Sequence, residues 1–307
     1  MESLCSLHRK LTMLTVHAPA KVNLVLEVLG KHDDYHRISS IIQSIDLCDV
    51  LNFQLDEEIY EIYFECDEPS LKRDNLVTQA ATLFSTRRSL GARIELRKHI
   101  PWGVGLGGGS SDAAATLLAL NELWGLGLSL SDIIRLASKL GSDVPFFIYG
   151  GTALVEGKGE KITPLPSLSL TYFVLLVPPL PRISSKTKQM YNRLNATHFT
   201  EGQFVQKALS SLRQGKTLDH SLMFNVFEKV AFDFFPGLDK YRKILEEAGA
   251  PGVHLAGSGP CLFTFFSGEE KARELYSRLK KHGLECYLAS SLQEWLAVDK
   301  DLQGQVI

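Results

Sequence analysis

Five glycines fall within the seven residues from Gly103 to Gly109, and two serines and an alanine-rich stretch follow at once. The run reads Pro101-Trp102-Gly103-Val104-Gly105-Leu106-Gly107-Gly108-Gly109-Ser110-Ser111-Asp112-Ala113-Ala114. Glycine at that density admits backbone angles closed to other residues and lets the main chain approach a ligand closely. The pattern from Ser111 to Trp124 predicts a helix, whose free N–H groups and positive dipole end point back into the loop. Loop and helix together form a phosphate cradle, so the chain is expected to fold around a nucleotide polyphosphate. A flexible surface loop is the plainer alternative, but flexible linkers seldom lead into so well-marked a helix.

Two familiar cradles are excluded. A P-loop reads G-x-x-x-x-G-K-[ST]; the nearest string, Gly151 to Lys158, has one residue too many between its glycines, and Gly159 follows the lysine. Gly103, Gly105 and Gly108 satisfy G-x-G-x-x-G, but a dinucleotide fold needs a strand soon after the helix, ending in an acidic residue. Here the chain continues Gly125-Leu126-Gly127-Leu128-Ser129 into a second helical pattern.

The rest of the composition narrows the class. A net charge of −2 on 307 residues gives no global field for nucleic acid or for an acidic membrane. The longest apolar stretch, Tyr172 to Val177, stops at Pro178-Pro179 and is far too short to span a bilayer. Cys5, Cys48, Cys66, Cys261 and Cys286 are odd in number and scattered, which reads as free thiols in a reducing cytoplasm. The histidines and cysteines show no metal-ligand spacing, so no structural metal site is expected. The first thirteen residues lack the apolar core of a secretory signal.

Along the chain, Val22, Leu24, Leu26 and Val28 alternate with Lys21, Asn23, Val25 and Glu27, predicting a strand with one apolar face and with Lys21 and Asn23 together on the other. A second strand or buried segment is expected at 38–45, further strands at 51–53, 59–64 and 93–96, and a helix from Asn75 to Leu90. Ser131 is a candidate N-cap for a helix from Asp132 to Leu140, closed by Gly141. The stretch from Gly150 to Gly159 reads as turns. Pro164 and Pro166 mark a change of region, dividing the chain into 1–163 and 164–307. Beyond them come a buried strand at 171–177, helices at 184–193, 202–213 and 238–248, a second glycine cluster from Gly252 to Pro260, and strand, helix and strand to Leu288. Strands and helices mix without regular alternation, so the fold class is α+β.

Three separated segments, Pro19-Ala20-Lys21-Val22-Asn23-Leu24, Pro101 to Ala114, and Leu255-Ala256-Gly257-Ser258-Gly259-Pro260, resemble in this order the GHMP kinase superfamily, named for galactokinase, homoserine kinase, mevalonate kinase and phosphomevalonate kinase. The resemblance runs from about Thr15 to about Leu296. Asp34-Tyr35-His36 and Gly141-Ser142-Asp143-Val144-Pro145-Phe146-Phe147 are similar to one branch, whose members phosphorylate a methylerythritol cytidine diphosphate on its 2-hydroxyl in the non-mevalonate isoprenoid pathway. The resemblance implies a two-domain fold, with a ribosomal-protein-S5-like N-terminal domain that binds ATP and a ferredoxin-like C-terminal domain on the substrate side. It implies ATP as co-substrate with Mg²⁺, a cytoplasmic enzyme, and a monomer or weak homodimer with no nucleic-acid or membrane partner. Two departures stand out. The stretch Ser184-Ser185-Lys186-Thr187 replaces a frequent Ser-Thr pair, and Asp33-Asp34 replaces a more usual Asp-Gly.

Phosphoryl transfer needs positioning, charge neutralisation and a path for the hydroxyl proton. Asp143 is the candidate general base; the same position also suits the cap of a helix starting near Pro145. Lys21 is its candidate partner, holding Asp143 ionised and favouring the attacking oxyanion; a lone strand lysine otherwise reads as a solvated face. Asn23 is expected to order the substrate. The ATP-binding set is Pro101, Gly103, Gly105, Leu106, Gly107, Gly108, Gly109, Ser110 and Ser111, where one serine can instead serve only as an N-cap. The resemblance assigns Thr187, Tyr191, Gly257 and Ser258 to the substrate side. Tyr35 offers a ring face to stack on cytosine and His36 offers polar atoms to its edge; otherwise they are a partly exposed loop pair. Asp112 either approaches a metal or complements the helix dipole. Three alternatives remain: a kinase of homoserine, mevalonate or a sugar, a decarboxylating relative, and a non-catalytic nucleotide-binding protein.

Overall fold

The computed structural model describes residues 13–33, 35–56, 60–71, 75–84, 91–214 and 218–293. Two long antiparallel strands, β1 (Met13–His32) and β2 (Tyr35–Asp56), form its spine. Asp33 turns between them with φ +50°, a left-handed angle that aspartate tolerates better than most residues; Asp34 lies outside the described residues. β3 (Ile62–Cys66) runs parallel to β4 (Gly91–Arg97), which pairs with the far half of β2. α1 (Leu76–Thr82) is capped by the Asn75 side chain, whose Oδ1 accepts from Thr78 N at 2.9 Å; residues 85–90 of the expected longer helix lie outside the description.

After the glycine run come α2 (Gly108–Leu123), α3 (Leu130–Leu140) and α4 (Val144–Tyr149). The α3 cap is Ser129 rather than Ser131: its Oγ accepts from Asp132 N and Asp132 Oδ2 accepts from Ser129 N, a reciprocal box that Ser131 cannot form. The stretch expected to be all turn contains β5 (Thr152–Gly157), which pairs with residues 38–43 of β2, and β6 (Lys161–Pro164), which pairs with β5.

The second half supplies β7 (Tyr172–Leu176), α5 (Lys186–Arg193), α6 (Gln203–Arg213), β8 (Phe224–Asn225), α7 (Glu228–Phe234), α8 (Leu238–Glu247), β9 (His254–Leu255), β10 (Leu262–Phe266), α9 (Glu269–Lys281) and β11 (Cys286–Ser290). Among the described residues, one sheet is ordered β3-β4-β2-β1-β8, with β5 and β6 added along β2, and a second is ordered β11-β7-β10-β9. This is the α+β architecture, with helices on both sheets. No helix of the described residues is long and apolar enough to cross a membrane.

The chain forms one strand across the segments expected separately at 38–45 and 51–53, because β1 pairs with β2 through the stretch between them, while β5 flanks residues 38–43 and β4 residues 50–56. The apolar face expected of β1 is divided. Val22 and Leu24 pack in a cluster with Phe173 and Phe263, whereas Leu26 and Val28 join the larger core with Ile42 and Phe53. Register slips between Asn23 and Val25 and between Val28 and Gly30 disturb the alternation. Elements cover both faces of the strand, so Lys21, Asn23 and Glu27 are all buried. Buried polar groups need partners, and Glu27 finds one in the first turn of α6, where its Oε2 accepts from Val205 N at 2.7 Å.

Candidate active site

The glycine run folds against Lys21. Lys21 N donates to Leu106 O at 2.9 Å. Gly107, at φ +76°, is the N-cap of α2; a β-carbon there would stand 2.9 Å from Phe147 Cζ and 3.0 Å from Lys21 Cγ. The helix therefore starts three residues earlier than expected, inside the glycine run. Ser110 and Ser111 lie within its first turns, so neither is the cap. The first helical bond of that turn runs from Ser111 N to Gly107 O, leaving the N–H groups of Gly108, Gly109 and Ser110 ahead of it for an anion. Ser111 Oγ is buried and without a hydrogen-bond partner.

The late glycine cluster leans on the same loop. A β-carbon on Gly105 would meet Ala256 O at 2.0 Å, and one on Gly257 would meet Gly105 O at 2.8 Å, Lys21 Nζ at 3.1 Å and Asn23 Oδ1 at 3.4 Å. Three segments far apart in sequence thus touch at backbone distance, which only glycine permits here. Asn225 holds the late loop from behind, its Nδ2 donating to Leu255 O at 2.9 Å and Gly257 O at 2.8 Å.

Lys21 Nζ donates to Asn23 Oδ1 at 2.5 Å, and Asn23 Nδ2 donates to Ser40 Oγ at 2.9 Å, which in turn donates to Val25 O at 2.6 Å. This chain fixes both side chains on the β1 surface. Asp143 Oδ2 lies 3.7 Å from Lys21 Nζ and is partly exposed, whereas Lys21 is buried. Although Asp143 stands at the head of α4, its side chain makes no capping bond. On the other side, Thr187 Oγ1 and Ser258 Oγ are 2.9 Å apart, and the Tyr191 ring stacks on His36 at 4.9 Å. Burial, and next the Asp143 charge, push the Tyr191 phenol above its usual range. The His36 imidazole is pulled down by burial and by Lys31, favouring the neutral ring. The adjacent rings of Tyr35 and His36 have different neighbours: Lys158 Nζ is 3.9 Å from the Tyr35 ring centroid, while His36 faces Tyr191. Pro101 and Gly103 stand at the loop mouth, where Arg182 lies over Trp102 at 5.7 Å and 3.7 Å from a β-carbon on Gly103.

Sequence reasoning missed the support under the loop. Lys98 Nζ donates to Asp49 Oδ2 and to Asp112 Oδ2, the latter at 2.8 Å, and all three side chains are buried. Asp49 Oδ1 also accepts from His99 N at 2.7 Å and Ile100 N at 2.8 Å, fixing the chain just before Pro101. Asp112, read from the sequence either as approaching a metal or as complementing the helix dipole, pairs with Lys98 through Oδ2, while its buried Oδ1 has no hydrogen-bond partner. One cation faces two carboxylates. Burial raises the Asp112 carboxyl, Lys98 opposes and Asp49 adds to the rise. Burial lowers Lys98, but the two carboxylates outweigh it and hold the ammonium charged. No local pattern marked Asp49, which meets Lys98 only through the pairing of β2 with β4.

This geometry joins a phosphate cradle to a lysine–carboxylate pair, the arrangement of a phosphoryl-transfer scaffold. The family described as GHMP kinases N terminal domain matches residues 75–151, and that described as GHMP kinases C terminal matches residues 201–284. The chain belongs to the GHMP kinase family. It is similar to a protein of Dehalococcoides mccartyi named 4-diphosphocytidyl-2-C-methyl-D-erythritol kinase, 47% identical over 284 residues, covering 91% of this chain and 99% of that one. A protein of the same name from Caldanaerobacter subterraneus subsp. tengcongensis is 38% identical over 296 residues, covering 94% and 99%. A crystal structure of 4-(cytidine 5'-diphospho)-2C-methyl-D-erythritol kinase superposes with a TM-score of 0.77 at 33% identity, covering 91% of this chain and 99% of that one.

Proposed function

We propose that this chain transfers the γ-phosphoryl group of ATP to the 2-hydroxyl of 4-diphosphocytidyl-2-C-methyl-D-erythritol, in the non-mevalonate route to isoprenoid precursors. The observation that carries the reading is the Lys21–Asp143 pair, 3.7 Å apart, with the glycine loop folded over the same lysine. The relatives named for this activity supply the acceptor.

The loop from Pro101 to Ser111 holds the triphosphate on the N–H groups of the first turn of α2. Asp143 accepts the hydroxyl proton as the new P–O bond forms. The Lys21 ammonium steadies the carboxylate and the charge that spreads over the transferring group. Asn23, fixed through Ser40, orients the acceptor. Tyr35, His36 and Tyr191 engage the cytosine end, and Thr187, Gly257 and Ser258 line the path between. Mg²⁺ would be held by the orphaned Ser111 hydroxyl and its neighbour Ser110, and when bound would neutralise phosphate charge.

A division at residue 163 is in keeping with β6, which closes at Pro164, and with β7, which opens the second sheet at Tyr172, although the two-residue β8 of the second half returns to the first sheet. ATP as co-substrate and the free thiols of Cys48, Cys66, Cys261 and Cys286 suit the cytoplasm.

The test is a coupled ADP-release assay with Mg²⁺ and ATP over a panel containing the cytidine diphosphate alcohol, homoserine, mevalonate and sugars. Phosphorus NMR then locates the new ester. Turnover confined to the cytidine substrate, with the ester on its 2-hydroxyl, is the expected result. Faster turnover of another alcohol, or release of CO₂, overturns it.

A further inference from the structure

Lys186 opens α5 and is 8% exposed. Its Nζ donates to Gly259 O in the late glycine loop. The charged and titratable groups that reach it are Lys21 on β1, Arg182 on the segment after β7, and the Cys261 thiol just ahead of β10. None of these is a carboxylate. Burial pushes the Cys261 thiol up to about 12, so it brings no charge. A buried ammonium is normally paired, as the Lys98 side chain is with Asp49 and Asp112. Lys186 instead faces two further cations. Burial and then Lys21 pull its ammonium down to about 7.

Its position says what the missing partner is. A β-carbon on Gly105 would stand 3.1 Å from Gly259 N, so the loop that Lys186 grips rests on the phosphate cradle. Thr187, the next residue, meets Ser258 of the same loop. We propose that Lys186 is a phosphate-binding residue, its ammonium placed where the Gly257–Gly259 loop meets the glycine run and its counter-charge supplied by a phosphate of the bound substrates. This rests on the kinase reading and adds a third cation, beside Lys21 and Arg182, to that site. The phosphate belongs either to ATP or to the acceptor's diphosphate; the chemistry is shared. Because the free amine is largely neutral above pH 7, an arriving anion draws a proton onto it.

Isothermal calorimetry tests this on the full chain at about pH 8, in buffers of different ionisation enthalpy, with the ATP analogue AMP-PNP and with CDP as separate probes. For one of them the wild type takes up close to one proton, about 0.9 from a group titrating one unit below the working pH. The probe that does so identifies the phosphate. K186Q keeps a donor for Gly259 O but no charge; it loses that uptake and binds the same probe at least tenfold more weakly, and K186R restores part of the affinity. No uptake with either probe in a wild type that binds them and turns over overturns the proposal, and this outcome requires no variant. Uptake unchanged in K186Q overturns it also. A wild type that binds neither probe and transfers no phosphate overturns the kinase reading instead, and the proposal with it.

Discussion

Asp143 stands at the head of α4 without capping it; its carboxylate is directed instead to Lys21 Nζ, 3.7 Å away. A carboxylate that merely ended a helix would bond to the N–H groups of the following turn. D143N keeps the shape and removes the proton acceptor, so turnover is expected to fall roughly 10²-fold or more. The melting temperature should fall only modestly, because no capping bond is lost and the half-exposed amide oxygen still faces Lys21. Steady-state kinetics and a thermal melt check both. Near-normal turnover with a lowered melting point would return Asp143 to a capping role.

The two glycine loops touch through backbone, so the smallest side chain between them is disruptive. G105A brings a methyl to 2.0 Å from Ala256 O at φ +100°. G107V adds a branched side chain at φ +76° against Phe147 and Lys21. Both are expected to weaken ATP binding, measured by nucleotide titration of the folded variants. Unchanged affinity in either would place the cradle elsewhere.

Y35A is expected to raise the Michaelis constant for the cytidine substrate and leave that for ATP alone. Base–aromatic stacking is worth roughly 1–3 kcal/mol, or about five- to a hundredfold in capture. CMP and CDP should compete with the alcohol in the wild type and far less in the variant. If they compete only with ATP, the cytidine assignment of Tyr35 fails.

The cluster under the cradle should respond asymmetrically. K98M leaves Asp49 and Asp112 buried without a cation, a loss of about 3–5 kcal/mol by analogy with other broken buried pairs. D112N removes one of two competing carboxylates and leaves Lys98 with Asp49, so it should cost much less. Urea unfolding of the two variants decides; equal losses would mean that Asp112, not Asp49, is the principal partner of Lys98.

A pH dependence follows from the histidine pair behind β10. His220 Nε2 lies 3.1 Å from Phe265 O and must donate to it, leaving Nδ1 to accept from His254 Nε2 at 2.8 Å. Burial, then the His220 and Arg242 charges, bring His254 down to about 3. Its folded pKa is thus below the unfolded value near 6.5. Between them the unfolded chain binds the extra proton, so this contribution is complete above about pH 6.5 and drains away as pH falls toward 3, at up to about 1.4 kcal/mol per unit. H254Q, which keeps a donor but cannot titrate there, should flatten the fall. A slope unchanged in H254Q would assign the acid sensitivity to other groups.

The chemistry of the cradle was legible because glycines, serines and a helical pattern are contiguous from Gly103 to Trp124. Strand β10 and helices α8 and α9 were legible from period and caps. The unbroken β2 was not, since Asp46 and Asp49 interrupt the apolar run and the pairing with β1 that carries the strand through them is not visible locally. Nor was α7, seven residues long, or β8, two residues long, because neither is long enough to show a period. The pairings of Lys98 with Asp49 and of Lys186 with Gly259 join positions 49 and 73 apart, where local pattern carries no information.

Strand β8 gives the first sheet an edge borrowed from late in the chain, Val25 and Leu26 pairing with Phe224 and Asn225. The consequence is one of chain order. Lys21 and Asn23 leave the ribosome long before the neighbour that closes their strand, which is nearly two hundred residues downstream. A prematurely stopped chain ending before Asn225 presents that edge unpaired, open to other strands, and lacks both that residue and the Leu255–Gly257 loop it holds. Such a product is a candidate for aggregation and clearance rather than a half-active enzyme.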